Sequence, residues 1–211
     1  MIPTKEEWMT ALFGRHGAAL QNAFSSAAVA ICGLGGLGSN IAIALARAGI
    51  GKLILIDFDR VDITNLHRQQ YKANQIGRYK AEALAENLQE IAPYIELETI
   101  SERITETNLS SLLKNADVVC EAFDDAQAKA MLVNAVLERF PNAYLVAASG
   151  MAGMDTPNTI QTRKVMKRFY LCGDEKSDVV DTIGLVAPRV MLCAAHQAHT
   201  VLRILAGEYE V

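Results

Sequence analysis

Short apolar runs alternate along this chain with longer segments in which apolar residues recur every three or four positions. The runs read as strands buried on both faces, and the periodic segments as helices crossing back over them. Ala28–Cys32 is the first such strand, followed by a helix over 37–48 that sets Leu37, Ile41, Leu45 and Ala48 on one face. Lys52–Ile56 is the second strand, and helical spacing resumes over Lys80–Ile91 until Pro93 ends it. Strands over 95–100, 117–120 and Tyr144–Ala148 then alternate with helices over 109–114 and Ala126–Arg139. This alternation predicts an α/β fold with a doubly wound, mostly parallel sheet.

The two ends depart from that rhythm. Residues 1–26 read as short helices ahead of a core spanning 27–150, and 151–211 forms an extension. In the extension, 151–157 is a loop, 159–170 can hold strands, 172–181 is a polar loop and 188–206 is a helix. Pro188 near its first turn and Gly207 beyond its last fit helix punctuation. At 211 residues, 51% of them hydrophobic, the chain suits one domain and no disordered class.

Charge narrows the chemistry. Twenty Lys and Arg against 24 Asp and Glu leave a net −4, so no general basic field recruits nucleic acid. The apolar runs are too short to span a bilayer, and the acidic start MIPTKEEWMT is unlike a secretory leader, so a cytoplasmic protein is expected. The four cysteines form no C-x-x-C pair and suggest neither a disulfide framework nor zinc.

Gly33-Leu34-Gly35-Gly36-Leu37-Gly38 satisfies G-x-G-x-x-G directly after a strand and at the start of a helix. Glycines there let backbone N–H groups approach phosphate oxygens at the positive end of a helix, the Rossmann-like arrangement. Asp57, 19 residues beyond Gly38 at the end of the next strand, is placed to accept from a ribose diol. These features alone suit NAD and an oxidoreductase as well as ATP. Asp59, Asn65, Arg68, Gln69 and Lys80 follow, and cations there suit departing pyrophosphate, which hydride transfer never generates.

GLGGLGS at 33–39 together with ARAGIGKLILIDFDRVDITNLHRQ at 46–69 resembles the ThiF, MoeB and HesA family of adenylating enzymes, related to the adenylation domain of ubiquitin-activating enzymes. The resemblance runs over roughly residues 12–207. It implies that ATP and Mg²⁺ are used to adenylate the C-terminal glycine carboxylate of a small ubiquitin-like sulfur carrier protein ending in Gly-Gly, with 151–211 on the carrier side. It assigns Gly33, Gly35, Gly36 and Gly38 to the phosphate turn, Asp57 to the ribose with Asp59 beside it, and Asn65, Arg68 and Lys80 to the phosphates. Gln69 is set to orient Arg68. Asp124 matches the acid associated with Mg²⁺ and catalysis, although Asp125 stands next to it and either could cap the following helix.

Arg15 falls where the resemblance places an arginine that reaches into the partner subunit's site of a homodimer. Val180 stands where several relatives carry a sulfur-transfer cysteine, leaving Cys172, in the polar loop, as the only substitute thiol. His196 and His199, three apart on the last helix, have spacing that permits one metal but lack further ligands. The compact, zinc-free form most resembles the short ThiF-like proteins that serve thiamine synthesis through the carrier ThiS. Activation of a molybdopterin-type carrier, or a non-catalytic scaffold that keeps the fold, are the other readings.

Overall fold

The computed structural model describes residues 2–211. Two N-terminal helices, α1 (Lys5–His16) and α2 (Ala18–Ser26), precede β1 (Ala28–Cys32), α3 (Gly36–Ala48) and β2 (Lys52–Ile56). After a long irregular stretch come α4 (Lys80–Ile91), β3 (Glu96–Ile100), α5 (Leu109–Leu113), β4 (Val118–Glu121), α6 (Ala126–Arg139) and β5 (Tyr144–Ala148). The chain closes with β6 (Gln161–Met166), β7 (Phe169–Gly173) and α7 (Ala187–Leu205).

The seven strands form one sheet in the order β3-β2-β1-β4-β5-β7-β6, parallel throughout except for β6, which pairs antiparallel with β7. The doubly wound α/β architecture is thus the observed one. Alternation along the strands splits the core in two. Val29, Ile31, Leu53, Leu55, Val118 and Val146 face a cluster built with α3, α4 and α7. Ala30, Cys32, Ile54, Ile56, Val119 and Leu145 face Leu109 and Leu113 of α5 and Leu132 and Val136 of α6. Burial on both faces is why these strands read as unbroken apolar runs.

The extension is more ordered than its sequence suggests. The 159–170 segment resolves into a β6–β7 hairpin, and β7 continues through Cys172, so Cys172 is a buried strand residue rather than part of a polar loop. All four cysteines are fully buried. Burial pushes the Cys172 thiol up to about 11, which leaves it a poor nucleophile at neutral pH.

At the opposite edge β3 is largely exposed, and its Glu96 and Glu98 both pair with Lys52 of β2, each at 2.9 Å. The N-terminal helix starts on a capping box in which Thr4 and Glu7 bond each other's backbone. Among the described residues no helix is long and apolar enough to cross a membrane.

Candidate active site

From β1 the chain winds through β2 to β3 on one side and then crosses to β4 and β5 on the other. A crevice therefore opens above the carboxyl ends of β1 and β4, where ligands bind in such sheets. The glycine turn leaves β1 into this crevice. Gly33 has φ 90° and donates its N–H to Ile56 O at 2.9 Å, and a Cβ on it would lie 2.8 Å from Ala122 O, so it needs both the left-handed backbone and the close approach. A Cβ on Gly38 would overlap the Gly33 carbonyl oxygen, and one on Gly36 would press on Val190 at 2.9 Å.

Gly35 differs, because its nearest neighbour would be Gln69 Nε2 at 3.7 Å, an ordinary contact. The space beside Gly35 is the part of the turn left open for a ligand. Gly38→Ala is therefore expected to lower stability by about 3 kcal/mol. Gly35→Ala should fold with stability within about 0.5 kcal/mol of the parent yet weaken ATP binding at least tenfold. Thermal melts and calorimetric titration separate the two outcomes.

The 65–71 segment is stitched onto this turn through the first turn of α3. The Ser39 hydroxyl donates to Gly35 O at 2.6 Å and accepts the Gln70 N–H at 3.1 Å. The Asn40 amide donates to Gly36 O and to Arg68 O, and Gln70 Nε2 donates to Asn40 Oδ1. Tyr71 closes the far end by donating its hydroxyl to Leu34 O at 2.7 Å. Arg68 and Gln69 are thereby held over the glycines: a Cβ on Gly36 would lie 3.5 Å from Arg68 Cγ.

The polar atoms of those two side chains are poorly satisfied. Arg68 donates from Nη1 to Thr64 O at 3.1 Å and lies against the His67 ring, but its Nε is buried without a partner, as is Gln69 Oε1. Burial depresses the Arg68 pKa, and the Asp124 carboxylate opposes that shift. A buried donor and a buried acceptor left unpaired beside an open glycine turn fit a polar ligand that completes them. Gln69 makes no hydrogen bond to Arg68, so the expected orienting contact is not seen in this state.

Asp57 is buried at the end of β2, with Oδ2 accepting from Leu34 N at 2.7 Å and Oδ1 from Asp59 N at 2.8 Å. Burial raises its pKa, while Lys80 and the two backbone donors lower it. Each oxygen keeps a lone pair for a hydroxyl donor. Lys80, the first residue of α4, is buried and pairs with Asp59 Oδ2 at 3.0 Å, so Asp59 engages the lysine. Asn65 uses Oδ1 to accept from Asp62 N at 3.0 Å in a short capping turn, which presents its amide nitrogen as the remaining donor group.

After β4, Asp124 and Asp125 are both exposed, but only Asp125 caps α6, accepting from Ala128 N at 2.7 Å. Asp124 makes no such cap, and its negative charge acts on Arg68. Among the described residues no group of three or more His, Cys, Asp and Glu side chains could hold a metal. Asp124 fits instead an Mg²⁺ carried in on nucleotide phosphates, which takes one or two carboxylates from the protein.

Sequence reasoning missed the anchor of this loop. Glu121, fully buried at the end of β4, accepts from Phe123 N at 2.7 Å and from Lys129 Nζ at 2.5 Å, and Lys129 also donates to Ala148 O at 2.9 Å. Burial pushes the Glu121 pKa up, and the Lys129 ammonium works against it. The pair holds the turn that carries Asp124. Nothing in the sequence around Lys129 marks it as the partner of a buried acid.

Arg15 is not brought to this site by its own chain. It is exposed in the last turn of α1, and Leu12 of that helix packs at Gly49, beyond the C-terminal end of α3. The 13 residues of α3 put about 20 Å between that end and the glycine turn. His196 bonds the Thr162 hydroxyl through Nδ1 at 2.9 Å.

The profile of the ThiF family matches residues 7–211. The molybdopterin-synthase adenylyltransferase of Escherichia coli K12 is 30% identical over 190 residues, covering 89% of this chain and 76% of that protein. The sulfur carrier protein ThiS adenylyltransferase of the same organism is 32% identical over 184 residues, covering 85% and 72%. Of the longer fungal and nematode relatives the chain spans less than half, 42% and 34% of their lengths. Among solved structures, E. coli tRNA N6-threonylcarbamoyladenosine dehydratase in complex with ATP superposes with a TM-score of 0.86 at 22% identity, covering 99% of this chain and 98% of that one. At that identity the likeness speaks to the fold. With a family match over nearly its whole length and two bacterial relatives at 30% identity or more, this chain belongs to the ThiF family of adenylyltransferase enzymes.

Proposed function

We propose that this protein binds Mg²⁺-ATP in the crevice over the glycine turn and adenylates the C-terminal glycine carboxylate of a small ubiquitin-like sulfur carrier of the ThiS type. The observation that carries this reading is the set of cations and unpaired polar atoms at Arg68, Gln69 and Lys80, built around an open Gly35. A dinucleotide site needs the glycines and Asp57 but has no use for Arg68 and Lys80 near a leaving group.

In the reaction a carboxylate oxygen of the carrier attacks the α-phosphorus, the bond from that phosphorus to the bridging oxygen breaks, and its electron pair leaves with pyrophosphate. Arg68 and Lys80 stabilise the charge that accumulates on the departing group, and Asn65 and the Gly35 N–H orient the phosphates. Asp57 holds the ribose. Mg²⁺, when bound with the nucleotide beside Asp124, supplies further charge neutralisation. Because every cysteine is buried, the acyl-adenylate leaves this chain by reaction with an external nucleophile rather than through an enzyme thioester. Arg15, exposed on a helix that packs at the far end of α3 from its own glycine turn, suits a homodimer in which it serves the partner's site.

A sequence relative, the tRNA threonylcarbamoyladenosine dehydratase of Escherichia coli K12, 34% identical over 146 residues, supports a second reading, a nucleic-acid substrate. Against it, Arg163 and Lys164 of β6 are engaged by Glu175 and Glu210. Pyrophosphate exchange decides between them. Labelled pyrophosphate is expected to enter ATP in the presence of a ThiS-type carrier ending in Gly-Gly; exchange only with a molybdopterin-type carrier or with tRNA would move the substrate, and no exchange with any of them would remove the reading.

A further inference from the structure

Arg189 lies in the first turn of α7 and is 5% exposed, and its partner Asp174 has a side chain 6% exposed. A guanidinium carries five N–H donors, and here all five are used. Nε donates to Ala152 O at 3.0 Å, Nη1 to Asp155 O at 2.9 Å and Thr156 O at 3.1 Å, and Nη2 to Thr159 Oγ1 at 3.0 Å and Asp174 Oδ2 at 2.5 Å. Asp174 in turn accepts the N–H groups of Lys176 and Ser177 through Oδ1. Burial opposes its ionisation, yet these donors hold its pKa down at about 2, so the pair stays charged over the working range.

This one side chain therefore joins the loop after β5 to the turn after β7. Smaller bonds follow the same seam: Ala152 N donates to Ser177 Oγ, Gly153 N to Gly184 O and Asp174 N to Gly150 O. The joined loops carry a rim of exposed apolar side chains, Met154, Val180 and Ile183, each more than 70% exposed. They sit at the carboxyl ends of β5 and β7, on the same side of the sheet as the loop bearing Asp124. The next residue along α7, Val190, packs on Gly36 of the glycine turn. A single helical turn thus touches both the nucleotide turn and the rim.

We propose that Arg189 is a positioning residue that locks 151–159 and 174–184 into one unit and seats the C-terminal tail of the acyl substrate beside the bound nucleotide. This rests on the adenylation reading above. A buried, fully bonded ion pair is a costly way to fasten loops that need only stability, since replacing such a pair by apolar residues is often neutral or stabilising. Its use here points to a requirement for one loop geometry.

The test uses the full chain with Arg189→Lys, which keeps the charge but cannot make the five-way fork, and Asp174→Asn, which keeps the acceptor for Lys176 and Ser177. Three measurements are made: the rate of tryptic cleavage after Lys176 without substrates, ATP affinity by calorimetry, and pyrophosphate exchange against concentration of a ThiS-type carrier. Expected are cleavage at least tenfold faster, an ATP Kd within twofold of wild type, and a carrier KM raised about tenfold with a smaller change in kcat. Unchanged cleavage, or an unchanged carrier KM despite faster cleavage, or ATP and carrier binding weakened alike, would each overturn the positioning role. Should Arg189→Lys fail to fold, Asp174→Asn carries the same three readouts. A wild type inactive with a ThiS-type carrier, a molybdopterin-type carrier and tRNA alike sinks the adenylation reading itself, a result distinct from an active wild type whose variants keep their carrier KM.

Discussion

Arg68→Ala is expected to lower pyrophosphate exchange by about 10³-fold while leaving the melting temperature unchanged or slightly raised. The guanidinium is half buried over the glycine turn, its Nε has no partner, and burial depresses its pKa. In the free protein such a group costs stability, because its desolvation is only partly repaid by Thr64 O and Asp124. The cost is recovered when phosphate oxygens arrive, and most of all when charge builds on the leaving group. The backbone of residue 68 still receives the Asn40 amide in the variant, so the 65–71 segment stays docked. Exchange assays paired with thermal melts check both halves. A large fall in melting temperature would recast Arg68 as a structural residue, and retained exchange would remove it from the site. Arg68→Lys restores the charge without the planar fork and is expected to recover only part of the loss.

The second large effect separates two neighbours. Asp124→Ala is expected to reduce exchange about 10²- to 10³-fold, the several kcal/mol attributed to a held cation, with partial recovery at raised Mg²⁺. Asp125→Ala is expected to cost about 1 kcal/mol of stability through loss of the α6 cap and to leave exchange close to wild type. The distinction rests on Asp125 Oδ1 bonding Ala128 N while the Asp124 charge acts on Arg68. The reverse pattern, with Asp125→Ala inactive and Asp124→Ala active, would exchange their roles.

Much of this candidate site is legible in the sequence, for a physical reason. The glycine turn, the acid at the end of β2 and the cations after it are consecutive along the chain, so short spacings encode them. Asp124 versus Asp125 was not legible, because one-residue steps at a helix start satisfy a cap equally well on paper. The pairing of Arg189 with Asp174 is not legible because 15 residues of loop and helix start separate them, and nothing local marks a lone arginine at a helix start as buried. The strand position of Cys172 is hidden from the sequence for a related reason: β7 gains its strand character from pairing with β5, a partner more than 20 residues away. Lys129 shows the limit most plainly, since only the fold reveals that its ammonium closes a buried carboxylate.

The acidic border of the sheet bears on how copies of the protein can meet. Glu96 and Glu98 line the outer margin of β3, shared between them by the single ammonium of Lys52. A second molecule approaching β3 to β3 brings its own carboxylates against these, and the repulsion disfavours a continuous fourteen-stranded sheet through this edge. Strand annealing at this border is thereby disfavoured, which keeps β3 the outermost strand of the sheet.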